Sequence, residues 1–190
     1  FGAEVVLTPA KEATDGAIRR ARQFIEKEPG KYYMPNQFDN PNNLLSHYET
    51  TGPEIYRQTD GEVDVFIAGL GTSGTLIGTG KYLREKKPGV RIIAVEPTVG
   101  HTIQGLKNMT ESIIPGIYDT KGFDEKIVVE DDEAFETTRM LATREGIFVG
   151  MSSGAAVAGA VQVANSMDGG NIVVILPDRG DRYLSTMLFK

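Results

Sequence analysis

Residues 63–75 read VDVFIAGLGTSGT, and this stretch decides the fold. Its first six residues are largely apolar and include three β-branched side chains, which predicts a buried strand. The glycines that follow allow the backbone to turn sharply and to approach a ligand closely. A helix is predicted from Thr75 to Lys86, and its unpaired N–H groups would face the same turn. We therefore expect a strand–loop–helix unit that binds phosphate through main-chain donors and the positive end of the helix dipole.

The same loop matches a dinucleotide-binding fingerprint. Residues 69–74, GLGTSG, have the spacing G-x-G-x-x-G, and Glu96 ends the next predicted strand about 20 residues further on. However, the loop also contains three hydroxyl residues: Thr72, Ser73 and Thr75. Hydroxyls beside main-chain N–H groups can bind all the oxygens of one terminal phosphate, whereas a bridging pyrophosphate more often requires bare glycine. The loop alone leaves both ligands open.

Composition excludes several classes of function. The 190 residues carry a net charge of −6, so no general affinity for nucleic acid or for an anionic membrane is expected. The absence of cysteine removes disulfides, thiolate chemistry and cysteine-based metal sites, and no metal site is expected. No apolar run approaches the ~20 residues of a membrane span, and no signal peptide is visible, so a cytoplasmic location is expected.

Predicted strands and helices alternate along the chain, which indicates parallel strands joined by crossover helices in an α/β layer fold. Strands are predicted at residues 3–8, 32–34, 63–68, 91–96, 127–129 and 171–176. Helices are predicted at residues 10–28, 44–58 (broken near Gly52 and Pro53), 75–86, 131–145 and 153–167. Ligands in this architecture bind at the carboxyl ends of the strands.

Two further patterns lie near the predicted strand ends. Residues 150–156 read GMSSGAA, where one serine would cap the following helix and the other hydroxyl could bond a flat heterocycle that the small residues admit. Residues 177–186 read PDRGDRYLST and directly follow the last apolar strand. This second pattern is either a solvated loop with salt bridges or part of the same site.

Together these segments resemble the cysteine synthases, the O-acetylserine sulfhydrylases of the pyridoxal-phosphate fold-type II family. The matching segments recur in the family's order: FGAEVV (1–6), NQFDNPN (36–42), TTGPEI (50–55), GTSGT (71–75), AVEP (94–97), EGIF (145–148), SSGAA (152–156) and DRYLST (181–186). The segments GLK (105–107), PGIY (115–118) and DRG (178–180) are closer to the B-type isozyme. The resemblance covers roughly the C-terminal two-thirds of such an enzyme.

The resemblance implies an α/β fold of the fold-type II, tryptophan synthase β-like class, a three-layer parallel sheet with an incomplete N-terminal domain. Residues 1–37 would be the C-terminal part of the small N-terminal domain. Residues 38–190 would be the large domain that binds pyridoxal phosphate, without its upstream segment. No lysine here has the motif around the family's Schiff-base lysine, so we expect that lysine upstream of Phe1, no catalytic residue in this chain, and no activity of the chain alone.

The resemblance also implies roles for individual residues around the cofactor, pyridoxal 5′-phosphate. The phosphate would be held by Gly71, Thr72, Ser73, Gly74 and Thr75. Ser152 would bond the pyridine nitrogen, and a neutral hydroxyl cannot keep that nitrogen protonated as an aspartate would. The ring would then be a weaker electron sink, which favours β-elimination over transamination. Glu96 would be a structural residue at the end of its strand.

Two residues are implied in substrate binding. Gln37 would contact the substrate carboxylate. Lys107 would meet an anionic leaving group or sulfur donor, or it would be an exposed lysine in a weak surface pair with Glu111 or Asp119. Both interpretations of Lys107 stay open at this point.

The implied activity is cysteine biosynthesis: replacement at the β-carbon of an activated serine, with sulfide, to give L-cysteine. The donor would be O-acetylserine, O-phosphoserine or a homoserine ester, and the expected partners are a second copy of the chain and serine acetyltransferase. One alternative is an NAD-dependent oxidoreductase of Rossmann type, although Tyr82 and Lys86, which have its Tyr-x-x-x-Lys spacing, lie at the far end of their helix. The other alternative, a non-catalytic half or partner-binding module, rests on the missing lysine.

Overall fold

A computed structural model describes the chain from Phe1 to Lys190, and it divides into two compact units, Phe1–Gln37 and Phe38–Lys190. The first unit contains one helix, α1 (Ala13–Lys27), which follows a 3-10 turn at Ala10–Glu12. The predicted strands at residues 3–8 and 32–34 are wrong, because neither segment forms a strand. Their composition suits a strand, but an isolated segment with no paired neighbour gains no ladder of hydrogen bonds.

The second unit is built on a sheet of four parallel strands. They are β1 (Val65–Gly69), β2 (Arg91–Pro97), β3 (Glu125–Val129) and β4 (Ile172–Val174), in the order β3-β2-β1-β4. Val65 of β1 lies opposite Arg91 of β2 and opposite Ile172 of β4. The predicted strands at residues 63–68, 91–96, 127–129 and 171–176 therefore all exist, with no end shifted by more than two residues.

Helices cover both faces of this sheet. On one face, α4 (Gly74–Lys86) packs on the sheet, α3 (Thr51–Gln58) adds to the same core, and α2 (Asn42–Glu49) packs on α4. On the other face, α6 (Met151–Ala164) packs on the sheet and α5 (Asp131–Arg144) packs beside it. Alternate residues of each strand enter opposite cores, since successive side chains of a strand point to opposite faces. Val65 and Ile67 lie in the core beside α6, and Phe66 and Ala68 lie in the core beside α4. The predicted three-layer α/β fold is confirmed.

The helix boundaries differ locally from the predicted ones. The predicted break near Gly52 falls at Thr50, which separates α2 from α3. Pro53 is accommodated in the first turn of α3, where its missing N–H has no helical partner to lose. Gly52 lets α3 approach α4, because a Cβ at this position would lie 2.6 Å from the Cβ of Tyr82. Helix α6 begins at Met151, two residues before its predicted start.

Candidate functional site

The phosphate-type loop lies where the sequence predicts it, between the carboxyl end of β1 and the first turn of α4. Gly71, Thr72, Ser73 and Thr75 line a cavity of about 180 Å³, whereas Gly74 is buried at the start of α4. Ser73 adopts a left-handed conformation with φ of 72°, a region that L-residues rarely visit. It is nearly fully buried, so the surrounding structure holds this strained turn in place.

Both threonine hydroxyls of the loop bond side chains of α2. Asn43 donates its Nδ2–H to Thr72 Oγ1 over 3.1 Å, and the N–H of Gly74 donates to the same oxygen over 3.2 Å. His47 Nε2 lies 3.1 Å from Thr75 Oγ1. Helix α2 therefore contacts two of the three hydroxyls that the sequence assigns to phosphate binding.

His47 links two hydroxyls through its two ring nitrogens. Nε2 faces Thr75 Oγ1, and Nδ1 lies 2.9 Å from Thr51 Oγ1. Burial lowers the pKa of His47 below its usual value, which favours the neutral ring at pH 7. A neutral ring has one donor and one acceptor nitrogen. If Nε2 carries the ring proton, it donates a hydrogen bond to Thr75 Oγ1. The Thr75 hydroxyl can then donate its own hydrogen bond to a ligand.

Ser152 lines the same cavity from the first turn of α6. It is 3% exposed, and its hydroxyl makes no hydrogen bond with the protein, although its main-chain N–H donates to Asp178 Oδ2 over 3.1 Å. A hydroxyl that lines a cavity and bonds no protein group can bond a ligand placed there. The cavity thus brings Ser152 together with the phosphate-type loop.

The predicted serine cap of α6 is wrong, because Asp178 supplies the cap. Its carboxylate accepts the N–H groups of Ser152 and Ser153, the Ser153 hydroxyl, and the Tyr183 hydroxyl over 2.8 Å. This carboxylate accepts two of the orphan N–H groups of the helix at once, and its charge complements the helix dipole. Sequence reasoning missed this role, although the charged pattern at residues 177–186 was its visible signal.

The charge state of Asp178 follows from these contacts. Burial alone raises the pKa of the Asp178 carboxyl, but the hydrogen bonds from Ser153, Tyr183 and the main chain outweigh burial, so its pKa lies below the usual value. Burial and the neighbouring Asp178 raise the pKa of Tyr183. Asp178 is therefore an anion and Tyr183 a neutral donor at neutral pH.

Gly71 and Gly105 also line the cavity. Gly105 has a φ of 93°, which favours glycine, and a Cβ added there would lie 3.4 Å from Ser152 Oγ. A Cβ at Gly71 would lie 3.0 Å from the carbonyl oxygen of Gly105. A side chain at Gly105 would therefore contact the Ser152 hydroxyl, and one at Gly71 would press on the Gly105 segment. The N–H of Lys107 donates to the carbonyl of Leu70 over 2.7 Å, which anchors the Gly105 segment beside the loop.

Lys107 is a buried residue, so its interpretation as an exposed lysine is wrong. It is 5% exposed, and its Nζ lies 5.3 Å from the centre of the Phe38 ring. The proposed surface partners bind main-chain N–H groups instead: Glu111 accepts from Gly100, and Asp119 accepts from Lys121. Lys107 does not line the cavity that contains Ser152, and Gln37 belongs to the first unit of the chain.

Glu96 has a structural place at the end of β2. It is 2% exposed, its Oε1 accepts the N–H of Met109 over 2.9 Å, and its Oε2 pairs with Lys126 over 2.6 Å. Both carboxylate oxygens are thus occupied by protein donors, which disfavours a ribose-binding role. Lys86 lies 5.6 Å from the ring of Tyr82 at the far end of α4, away from the loop.

Two classes of site are absent from the chain. No group of three or more histidine, cysteine, aspartate or glutamate side chains is arranged to hold a metal ion. None of the helices combines the length and the hydrophobicity that crossing a membrane requires.

Comparisons with known proteins agree with this geometry. The family model for pyridoxal-phosphate dependent enzymes matches residues 1–178. The chain is 43% identical to a cysteine synthase of Aquifex aeolicus and to cysteine synthase B of Salmonella typhimurium, and the matches include the whole chain but only 59% and 62% of those proteins. It therefore spans about 60% of the length of these curated relatives.

Solved structures show the same relationship. The chain superimposes on the cysteine synthase of Entamoeba histolytica with a TM-score of 0.89 at 42% identity, over 99% of this chain and 58% of that one. It superimposes on an O-acetylserine dependent cystathionine β-synthase of Helicobacter pylori with a TM-score of 0.91 at 36% identity, over 100% of this chain and 64% of that one.

Proposed function

The chain belongs to the pyridoxal-phosphate dependent enzymes, and from this premise we propose that the full-length protein is a cysteine synthase that converts an activated serine and sulfide into L-cysteine. The relatives support this activity, since those compared above include a cysteine synthase and a cysteine synthase B. One structural observation carries the proposal: a single cavity joins the hydroxyl-rich loop at the start of α4 to the unpartnered hydroxyl of Ser152.

The residues that line this cavity fit the cofactor. The hydroxyls of Thr72 and Thr75, with the N–H groups at the start of α4, offer donors to a phosphate, whereas the Ser73 hydroxyl points to the carbonyl of Ile117. Ser152 offers a buried hydroxyl to a ring atom, and Gly105 keeps the space in front of that hydroxyl free of side chains. The cavity is smaller than the roughly 300–1,000 Å³ typical of drug-sized ligands, so a small phosphorylated ring suits it better than a dinucleotide.

When bound, pyridoxal phosphate supplies an electron sink for bond cleavage at the substrate. The contribution of Ser152 is to bond the ring nitrogen without protonating it, because a serine hydroxyl is a far weaker acid than a carboxyl group. That weaker sink favours loss of a leaving group from the β-carbon over transamination. Asp178 holds the main chain of Ser152, and the threonines of the loop fix the phosphate end.

The remaining roles complete this proposal. Gln37 binds the substrate carboxylate, and Lys107 meets an anionic group of the donor or of the sulfur source. Residues 1–37 form the end of a smaller domain, and residues 38–190 form most of the large cofactor domain. The protein acts in the cytoplasm as a homodimer, with serine acetyltransferase as a candidate partner.

The Rossmann-type oxidoreductase is the alternative that the structure disfavours most directly. A dinucleotide-binding loop would need a free acid at the end of β2, but Glu96 is buried and bonded to Met109 and Lys126. The family match does not favour a non-catalytic module either.

The decisive experiment uses the purified full-length protein. We expect visible absorption from bound pyridoxal phosphate, and L-cysteine formation from O-acetylserine and sulfide that stops when the cofactor is removed and resumes when it is restored. NADH serves as the comparison ligand, and its fluorescence should not change on mixing. NADH binding without visible absorption would reject the proposal, as would cofactor binding without cysteine formation from any activated serine.

A further inference from the structure

Two glycines on α4 bring helix α2 unusually close to the phosphate-type loop. A Cβ at Gly74 would collide with Oδ1 of Asn43, and a Cβ at Gly78 would collide with the carbonyl oxygen of Leu44. The two glycines are four residues apart and therefore lie on the same face of α4. A side chain at either position would push α2 away from the loop.

The close approach places an amide of α2 within reach of the loop. Asn43 Nδ2 donates to Thr72 Oγ1 over 3.1 Å, across a separation of 29 residues in the chain. Asn43 is only partly exposed, and it sits in the first turn of α2 directly beside Gly74. The contact is thus built by the packing of two helices.

The hydroxyl of Thr72 has a defined direction in this arrangement. A hydroxyl oxygen has two acceptor positions and one proton to donate. Thr72 Oγ1 accepts from Asn43 Nδ2 and from the N–H of Gly74, which occupy both acceptor positions. Only the proton of Thr72 remains for a ligand in the cavity that the residue lines.

We propose that Asn43 is a positioning residue that acts through Thr72. By occupying an acceptor position of the Thr72 hydroxyl, Asn43 leaves that hydroxyl to act as a donor to an anion in the cavity. The inference rests on the proposed function, because it takes that anion to be the phosphate of the cofactor. Phosphate oxygens accept hydrogen bonds and present no donor at full ionisation, so a hydroxyl already fixed as a donor binds them without reorienting. Without Asn43, an acceptor position of Thr72 is left open and the hydroxyl can rotate away from the phosphate.

The test measures the affinity of the full-length apoprotein for two ligands, pyridoxal phosphate and pyridoxal, which lacks the phosphate. Asn43→Ala should weaken pyridoxal phosphate binding about 3- to 10-fold, the size expected for one hydrogen bond, and leave pyridoxal binding unchanged. Thr72→Val, which removes the hydroxyl at constant shape, should weaken pyridoxal phosphate binding at least as much. The double variant should bind no worse than Thr72→Val alone, since Asn43 acts through that hydroxyl.

Asn42→Ala is the matched control, because Asn42 is an exposed asparagine of the same helix whose main-chain N–H, not its side chain, bonds Asn40. Asn43→Leu, which keeps the volume, replaces Asn43→Ala should the latter not fold. Equal losses for both ligands, or additive losses in the double variant, would overturn the role of Asn43. Unchanged pyridoxal phosphate binding in Thr72→Val would instead reject the assignment of the loop in the proposed function.

Discussion

The carboxylate of Asp178, four residues beyond the end of β4, accepts the main-chain N–H of Ser152 in the first turn of α6 over 3.1 Å. The same carboxylate accepts the N–H of Ser153 over 2.9 Å. These bonds fix the start of α6 through the main chain, so the Ser152 side chain is not needed as a cap. The hydroxyl of Ser152 therefore stays available to a ligand in the cavity. Asp178 has the structural role in this turn, and Ser152 has the ligand-binding role.

The first prediction concerns stability. Asp178→Ala should lower the free energy of unfolding by about 2–4 kcal/mol, because it removes the carboxylate that accepts the N–H groups of Ser152 and Ser153 and the hydroxyl of Tyr183. Urea denaturation at pH 7 measures the change. Tyr183→Phe removes one of the carboxylate's donors and serves as the milder comparison, at about 1 kcal/mol. Equal stability of wild type and Asp178→Ala would show that the cap contributes nothing.

The second prediction gives the pH dependence of that contribution. The pKa of Asp178 is lower in the folded protein than the value of about 3.9 for an unfolded aspartate. The unfolded state therefore binds the proton first as pH falls, so the stabilisation is complete above about pH 4 and is lost below it. The difference in stability between wild type and Asp178→Asn should stay constant from pH 7 to pH 5 and shrink below pH 4. If the stability difference instead grew as the pH fell, the pKa of Asp178 would be raised in the folded protein and not lowered.

The third prediction separates binding from chemistry at Ser152. In the full-length enzyme, Ser152→Ala should retain pyridoxal phosphate but lower kcat, since the cofactor keeps its phosphate contacts and loses its ring partner. Ser152→Asp should change the absorption spectrum during turnover, because a carboxylate favours a protonated ring nitrogen and a stronger electron sink. Spectra and rates equal to wild type in both variants would leave Ser152 with no role toward the ring.

The fourth prediction concerns His47, which burial keeps neutral at pH 7. Its pKa should lie below 6.5, and an NMR titration can resolve it because the chain contains only two histidines. His47→Gln identifies the signal by removing it, and the remaining signal belongs to His101. A pKa of His47 at or above 6.5 would contradict a buried neutral ring between Thr51 and Thr75.

Most of the sheet could be predicted from sequence. The β1–loop–α4 unit follows from an apolar run, a glycine-rich turn and a helical period, which are all local signals. The predicted strands at residues 3–8 and 32–34 failed because a strand also requires a neighbour, and composition does not report pairing. The break between α2 and α3 lies at Thr50, two residues before the predicted Gly52, because Gly52 and Pro53 fit within the first turn of α3.

The site was predictable only in part. The cavity contains Thr72, Thr75 and Ser152, which the glycine-flanked hydroxyl patterns and the family resemblance had singled out. Asn43 and Asp178 were missed as supporting residues, because their bonds to the site cross 29 and 26 residues of chain. No spacing in the sequence encodes such contacts, which appear only once the helices are packed.

The fifth prediction tests whether Lys107 recognises charge on the substrate. Lys107 is buried, and its Nζ lies 5.3 Å from the centre of the Phe38 ring, so its side chain is held in one place by its contacts. In the full-length enzyme, Lys107→Ala should lower kcat/KM for O-phosphoserine about tenfold more than for the neutral ester of O-acetylserine, because a phosphate accepts charge-assisted bonds that an acetyl group cannot. Lys121→Ala, at an exposed lysine outside the cavity, is the matched control and should change neither value. Equal losses of kcat/KM on both donors would mean that Lys107 supports the fold around Phe38 and does not recognise the charge of the leaving group.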